Sequence, residues 1–171
     1  MQPSSAQPCL IGEIESRLAQ TGATDSGLQT ILDLVLERLA CTAGTIHSFD
    51  PHSRMLQLRT RRNIPDGLLP RVQQISFGKG MAGLAVERRE PIQVCNLQTD
   101  TSGVAKPGAK ETGMNGSVAL PIFVGDQVVG VLGVAKPTAY EFSDVEIALL
   151  LDIGRVIGKF MSHSTSGTTR S

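Results

Sequence analysis

Residues 117–135 read SVALPIFVGDQVVGVLGVA, two apolar, β-branched segments on either side of Gly125-Asp126. A Gly-Asp pair between such segments is typical of a two-residue hairpin turn. The stretch therefore predicts two antiparallel strands, Ser117–Val124 and Gln127–Ala135, with Pro121 interrupting the first strand. We expect this hairpin to lie within a larger antiparallel sheet.

The segment after the hairpin predicts a long amphipathic helix. Ser143 and Glu146 stand at the spacing of a capping box, which favours a helix start at this point and an end near Ser162. The helix has two apolar stripes: Leu149, Ile153, Val156 and Phe160 on one side, and Ile147, Leu150, Gly154, Ile157 and Met161 on the other. One stripe can cover the sheet, and the other needs either the N-terminal helices or a second subunit. The small residues Gly154 and Gly158 would also permit close contact between helices.

The segment before residue 45 predicts two further helices. Apolar residues recur at helical spacing over Cys9–Gln20 and again from Leu28 to Leu39. Gly22 separates the two helices, and Asp25 or Ser26 can cap the second.

A second hairpin is predicted from Thr45 to Arg61. The turn Asp50-Pro51-His52-Ser53 joins its strands, since proline presets φ and the Asp side chain can bond the turn backbone. Alternation along the second strand favours one face with Leu56, Leu58 and Thr60 and a solvated face with Gln57, Arg59 and Arg61.

The middle of the chain predicts shorter elements. They are a loop with a short helix over 63–72, a tight glycine-rich turn over 78–83, a short helix over 84–88, a short strand over 91–94 and a long loop over 96–116. With helices gathered at the ends, this order predicts an α+β domain on an antiparallel sheet of five or six strands.

The chain resembles a GAF domain in five segments that follow one another in the family's order. They are Gly78-Lys79-Gly80-Met81-Ala82-Gly83, Glu90-Pro91-Ile92-Gln93-Val94, Ser117-Val118-Ala119-Leu120-Pro121-Ile122, Val129-Gly130-Val131-Leu132-Gly133-Val134 and Phe142-Ser143-Asp144-Val145-Glu146. The resemblance covers about residues 25–161 and implies a GAF/PAS-like sheet with helices on one face. It also implies a ligand pocket between the other face and the loop 96–116.

Candidate ligand-binding residues follow from the ends of the strands and the edges of the loop that would border this pocket. They are His47, Phe77, Met81, Cys95, Met114, Ser117 and Ala119. We expect no metal site and no catalytic residue, and the sequence does not identify a cofactor.

The layout is similar to that of the free methionine-(R)-sulfoxide reductases, which are single GAF domains. Their chemistry needs a thiolate that attacks the sulfoxide sulfur and a second thiol that resolves the sulfenic acid. In that family one cysteine lies in the glycine-rich motif, where this chain has Ala82, and the others lie in the loop over 96–116, which has none. Cys95 stands just before that loop and matches none of them, so we expect no reductase activity.

Three other chemistries of the family find little support in the residues. The segment from Ala135-Lys136 to Glu146 only partly matches the cyclic-nucleotide signature, and it is typical of a strand end, an aromatic plug and a helix cap. No Cys-His pair is present for a bilin, and His47 is the one strand histidine that a heme could use. The glycine-rich turn lacks the spacing of a P-loop.

Composition excludes several classes of function. The chain has 171 residues with 16 basic and 16 acidic side chains, although residues 52–90 hold eight bases and three acids. This basic middle could favour an anionic ligand or an acidic partner. Without interleaved aromatic residues it does not predict nucleic-acid binding. No apolar run is long enough for a membrane span, and three widely separated cysteines are typical of a cytoplasmic protein.

The sequence therefore predicts a non-enzymatic GAF-type sensor or regulatory domain over residues 8–162, with disordered tails over 1–7 and 163–171. Its ligand would be a small molecule, its oligomeric state a homodimer through the terminal helices, and its output would pass to a signalling partner. The alternatives are a thiol enzyme that uses Cys95 and an interaction module whose pocket is vestigial.

Overall fold

A computed structural model describes the backbone of residues 6–99 and 113–169, and side chains over 10–99 and 113–161. The helices are α1 (Ala6–Thr21), α2 (Asp25–Arg38), α3 (Leu69–Val72), α4 (Gly80–Arg88) and α5 (Asp144–Thr169), and a 3-10 turn (Asp66–Leu68) precedes α3. The strands are β1 (Ala43–Asp50), β2 (Met55–Arg62), β3 (Gln74–Ser76), β4 (Ile92–Val94), β5 (Gly116–Val124) and β6 (Gln127–Lys136).

Six strands form one antiparallel sheet in the order β3-β2-β1-β6-β5-β4. The predicted α+β class is confirmed. The central hairpin is confirmed too, because Val124 pairs with Gln127 around Gly125-Asp126. Pro121 does not interrupt β5, which pairs with β6 along its length, while β4 pairs only with Ser117–Ala119. Proline is tolerated where no neighbouring strand needs its N–H.

One face of the sheet carries α1, α2 and α5 over the larger core. Its fully buried side chains include Ile14, Leu18, Leu28, Ile31, Leu32, Ile46, Leu120, Ile122, Leu132, Leu150 and Ile153. A smaller core lies on the opposite face, where α4 packs on the sheet through Leu56, Ala85, Val86, Ile92, Ala119 and Val131. Among the described residues the second face therefore has the smaller buried core.

The helix caps are partly as predicted. The capping box of α5 is confirmed: the Glu146 amide donates to Ser143 Oγ at 3.1 Å, and the Ser143 amide donates to Glu146 Oε1 at 2.8 Å. The cap of α2 is Thr24, whose Oγ1 accepts from the Gly27 amide at 3.1 Å, and neither Asp25 nor Ser26 takes that role. The backbone of α5 continues to Thr169, beyond the expected end near Ser162.

The predicted tails over 1–7 and 163–171 lie outside the residues whose side chains are described, and the domain limits stay a prediction.

A bulge in the β1–β2 hairpin corrects the predicted faces of β2. The register shifts between Ile46 and His47, so that Leu58 pairs with His47 while Thr60 pairs with Ile46. Thr60 therefore turns to the helical side and donates to Gln29 of α2. One extra residue reverses the alternation of a strand, which a period of two cannot reveal.

The bulge also moves Arg59 away from the predicted solvated face. Its Nε donates to Asp25 Oδ1 at 2.8 Å, and its guanidinium donates to the Ala23 carbonyl at 2.8 Å. Arg59 thus ties β2 to the start of α2. Strand β3, which the sequence did not predict, adds Gln74–Ser76 to the outer edge of β2.

Candidate functional site

The second face of the sheet holds a cavity of about 650 Å³. Its floor consists of small side chains that come together in two rows across β1, β6 and β5. In one row Thr45 pairs with Gly133 and Gly133 with Ala119; in the next, Ala43 pairs with Ala135 and Ala135 with Ser117. Side chains of this size leave space above the sheet that α4 and α3 do not fill.

The walls come from the segments that cover this face. They include Leu68, Pro70, Arg71 and Val72 around α3, Lys79, Gly80, Met81 and Ala82 at the start of α4, and Leu97 and Met114 at the described ends of the long loop. Residues 100–112, the central part of the loop that was expected to close the pocket, lie outside the described residues.

The turn before α4 brings that helix close to the cavity. The Gly78 amide donates to the Gly83 carbonyl at 2.9 Å, and a Cβ on Gly83 would stand 2.4 Å from the Ser76 carbonyl oxygen. Gly83 therefore has to lack a side chain for the strand-to-helix turn to close. This geometry accounts for the glycine-rich motif as the tight turn that the sequence predicted.

His47 lies in the cavity wall and is 2% exposed. Its Nε2 donates to the Val72 carbonyl at 2.8 Å, which links β1 to the end of α3. Its Nδ1 is buried and has no hydrogen-bond partner among the described residues. Burial lowers the pKa of His47 below its usual value, and the hydrogen bond to Val72 opposes this only in part.

The charged residues among the described cavity walls are Arg71 and Lys79, both of them cationic. They come from the basic middle of the sequence. Arg61, by contrast, donates to the Ile64 carbonyl at 2.9 Å and pairs with Asp66, while Arg54 stacks over the Phe77 ring at 4.1 Å. Only part of the basic middle therefore reaches the cavity.

Five of the seven candidate residues line the cavity: His47, Met81, Met114, Ser117 and Ala119. Phe77 is not in its wall and packs against Phe49, with ring centroids 6.2 Å apart. Cys95 is exposed and also lies outside the wall, where its carbonyl accepts from the Tyr140 amide at 2.9 Å. A role of these seven residues in ligand binding stays a prediction.

Sequence reasoning missed four small residues of the floor, Ala43, Thr45, Gly133 and Ala135, and the residues around α3. The alternation of small side chains at Ala43 and Thr45, and again at Gly133 and Ala135, was a usable signal, because such residues on one face of a sheet leave a gap. Nothing in the sequence marked Leu68 or Val72 as cavity residues, because their positions depend on β3.

The cysteines with described side chains are not placed for shared redox chemistry. Cys41 is buried in the larger core on the helical side of the sheet, where burial raises the pKa of its thiol to about 11. Cys95 lies on the surface. Among the described residues no group of three or more His, Cys, Asp or Glu side chains could hold a metal ion.

The segment that partly matches a cyclic-nucleotide signature has structural roles. Lys136 Nζ lies 4.0 Å from the centre of the Tyr140 ring, and Tyr140 meets Phe142 edge to face with centroids 4.9 Å apart. The Tyr140 hydroxyl donates to Glu146, whose carboxylate also completes the helix cap. The predicted strand end, aromatic plug and helix cap are confirmed.

Several GAF domains share this architecture. A GAF domain from a phosphoenolpyruvate-protein phosphotransferase of Coxiella burnetii superposes with a TM-score of 0.83 at 17% identity, over 98% of this chain and 99% of that one. The free methionine-R-sulfoxide reductase of Neisseria meningitidis, solved with its substrate, gives 0.79 at 17% identity over 98% and 95%. A GAF domain of A. aeolicus in an inactive state gives 0.72 at 20% identity over 95% and 99%.

At these identities the likeness shows the fold alone. No curated protein matches the sequence significantly. In the part of the chain that the structure describes, no helix has the length and apolar character needed to cross a membrane. The sequence profile of the GAF domain matches residues 24–162, well over half of the chain. The chain therefore belongs to the GAF domain family.

Proposed function

We propose that this protein is a non-enzymatic sensor or regulatory domain that binds a small molecule in the cavity between the sheet and α4. The observation that carries the proposal is the cavity of about 650 Å³ above a floor of small side chains. Pockets for small molecules commonly enclose about 300–1,000 Å³ and combine apolar walls with a few polar groups. The cavity matches that description, with Met81 and Val131 beside His47 and Ser117.

The sheet supplies a physical route from this cavity to the opposite face. Ala119 and Gly133 face the cavity, while their strand neighbours Leu120 and Leu132 are buried in the larger core beneath the helices. A ligand that favours one arrangement of β5 and β6 would shift the packing of α5 and with it the population of two states.

Thiol catalysis receives no support from the described residues. A reductase of free methionine sulfoxide needs an attacking thiol and a resolving thiol near its substrate. Cys41 lies on the opposite side of the sheet, and Cys95 lies outside the cavity wall. The likeness to the reductase of N. meningitidis shows the fold alone.

The remaining features of the proposal come from the sequence. They are a homodimer through α1 and α5, a signalling protein as partner, a cytoplasmic location and domain limits at residues 8 and 162. A row of half-buried apolar side chains on α5, among them Leu149, Val156 and Phe160, supports the homodimer.

Native mass spectrometry of the purified protein tests the proposal, followed by thermal-shift measurements with a metabolite library. We expect a bound or stabilising small molecule for the wild type and for Ala19→Leu, an exposed control on α1. Ala119→Leu should abolish the effect, because the larger side chain fills the floor of the cavity, and circular dichroism should show that this variant stays folded. If no compound binds the wild type, or if Ala119→Leu binds equally well, the proposal is wrong.

A further inference from the structure

Gly133 lies in the middle of the first row of the cavity floor, between Thr45 and Ala119, and alone among the six residues of the two rows it has no side chain. We propose that the ligand has a flat, fused-ring aromatic body that lies on this floor over Gly133, and that a polar group at the edge of the rings forms a hydrogen bond with Thr45 Oγ1. This inference rests on the proposed function and specifies the chemistry of the same cavity.

The floor is flat because its side chains are all short. The largest of the six belongs to Thr45, and the others belong to one serine, three alanines and Gly133. A Cβ on Gly133 would have two described atoms within 4 Å outside its chain neighbours, Thr45 Oγ1 at 3.2 Å and the Val118 carbonyl oxygen at 4.0 Å. A flat ring can contact all of this surface. A puckered ring touches it with only some of its atoms and loses the dispersion attraction of the others.

The dimensions of the floor define the size of the ring system. Strands β1, β6 and β5 supply the floor, with two residues from each strand. Neighbouring strands lie about 4.8 Å apart and alternate residues about 7 Å apart along a strand, so the floor measures roughly 10 by 7 Å between Cα atoms. A pair of fused six-membered rings covers such an area, whereas a single ring leaves part of the floor empty.

The helix above the floor favours a thin ligand. Ala85 and Val86 of α4 pack against Ala119 and Val131 in the smaller core, and Ala119 also belongs to the floor. Short side chains at a close-packed contact hold a helix near the sheet. Met81, in the first turn of the same helix, lines the cavity, and its thioether sulfur can make favourable contacts with an aromatic ring.

The hydroxyl of Thr45 is a polar group at the edge of the space above Gly133. Thr45 Oγ1 has no hydrogen-bond partner among the described residues. Thr45 is half-buried, and its Oγ1 is not among the buried polar atoms without a partner, which in the described part of the chain are His47 Nδ1 and Asn115 Oδ1. A ligand in the cavity can therefore reach it. Because a threonine hydroxyl both donates and accepts, a hydroxyl, an amine or a carbonyl at the edge of the rings can bond to it.

Ligand-observed NMR titrations with the full chain test the flat body. The probes are 2-naphthol, whose rings are flat, and decahydro-2-naphthol, which has the same carbon skeleton and hydroxyl but puckered rings. We expect 2-naphthol to bind in the cavity, as judged by loss of binding in Ala119→Leu, and to bind at least about tenfold more tightly than the saturated alcohol. Gly133→Ala should weaken 2-naphthol at least about fivefold, because its methyl group rises from the floor, while the exposed control Ala19→Leu should bind as the wild type does.

Two variants of Thr45 test the hydrogen bond. Each protein is titrated with 2-naphthol and with 2-methylnaphthalene, in which a methyl group replaces the hydroxyl. The change of this affinity ratio between two proteins cancels the difference in hydrophobicity between the two compounds, as in a double-mutant cycle. In Thr45→Val, which removes the hydroxyl, the ratio should fall at least about threefold in disfavour of 2-naphthol. Thr45→Ser keeps a hydroxyl and should keep the ratio of the wild type.

The outcomes separate this inference from the proposed function. If a compound of the metabolite library binds in the cavity but 2-naphthol does not, the inference is wrong while small-molecule binding stands. The same holds if the saturated alcohol binds as tightly as 2-naphthol, or if Thr45→Val leaves the affinity ratio unchanged. If neither the probes nor any compound of the library bind in the cavity, the proposed function fails and the inference fails with it.

Discussion

Gly158 of α5 lies against the backbone of β5, where a Cβ at residue 158 would stand 2.9 Å from the Phe123 carbonyl oxygen. The same Cβ would stand 3.0 Å from Ile122 Cγ2. The small-residue spacing of Gly154 and Gly158 therefore allows a close approach of helix to sheet. The sequence had suggested a close contact between two helices, and the structure shows a different partner for these glycines.

Replacing Gly158 with alanine should destabilise the fold by about 1–3 kcal/mol, since the added methyl overpacks a contact with rigid backbone. Gly154→Ala is the matched control, because its Cβ would meet Ile122 Cγ1 at an ordinary 3.6 Å. Alanine favours a helix over glycine by up to about 1 kcal/mol, so this control should be neutral or stabilising. Urea unfolding of both variants measures the difference, and equal stabilities would contradict the close approach.

The stability of the fold should fall in mild acid because of His47. Its pKa is lowered in the folded state by burial, so the unfolded chain binds the proton more readily. The stabilising free energy that results from this pKa difference is fully present above the ordinary pKa near 6.5, and it is lost as the pH falls through the folded pKa. The free energy of unfolding changes by at most about 1.4 kcal/mol per pH unit. Arg71 and Lys79 are the charged groups among the described walls of the same cavity.

Urea unfolding of the wild type and His47→Gln between pH 5 and 8 measures this contribution. The difference in free energy of unfolding between the two proteins should depend on pH below about 6.5. His52→Gln, at an exposed position in the β1–β2 turn, serves as the control. A pH-independent difference for His47→Gln would show that the ring does not titrate as its burial requires.

If the protein is a homodimer through α1 and α5, a charge in the half-buried row of α5 should separate the subunits. Val156→Glu should convert the dimer to a monomer, because it places an unpaired carboxylate in an apolar contact. Val145→Glu, at a position of the same helix that is 63% exposed, should leave the dimer intact. Light scattering after size exclusion measures both, and a monomeric wild type at micromolar concentration would contradict the proposed dimer.

The two cysteines with described side chains should differ widely in reactivity. With a pKa of about 11 and 8% exposure, Cys41 should hold only on the order of one thiolate in a thousand at pH 8. Cys95 is exposed and should react readily with iodoacetamide. In a Cys9→Ser background, peptide mass spectrometry should show early alkylation of Cys95 and protection of Cys41 until the protein unfolds. Early alkylation of Cys41 would contradict its burial.

Local signals predicted most of the elements. The Gly125-Asp126 turn, the Ser143–Glu146 capping box and the helical spacing of apolar residues each depend on neighbours within a few positions, and the structure confirms all three. The wrong predictions concern features that depend on contacts between residues distant in the sequence. The bulge that turns Thr60 toward Gln29 and the pairing of β3 with β2 both depend on residues far away along the chain.

Some residues of the candidate site were predictable from the sequence, and others were not. Strand ends and loop edges pointed to His47, Met81, Met114, Ser117 and Ala119, which the sheet brings around one cavity. The hydrogen bond from His47 to the Val72 carbonyl was beyond prediction, because it joins a strand to a segment whose path depends on β3.

The sequence by itself determined the fold class, the central hairpin and the family, because each follows from local periodicity, turn chemistry and the order of short motifs. Only the tertiary structure decided which small residues share a row, that Arg59 binds Asp25, and that Gly158 meets Phe123. Strand register and helix–sheet distance decide these contacts, and both depend on the packing of the whole chain. The same packing leaves the space above Gly133.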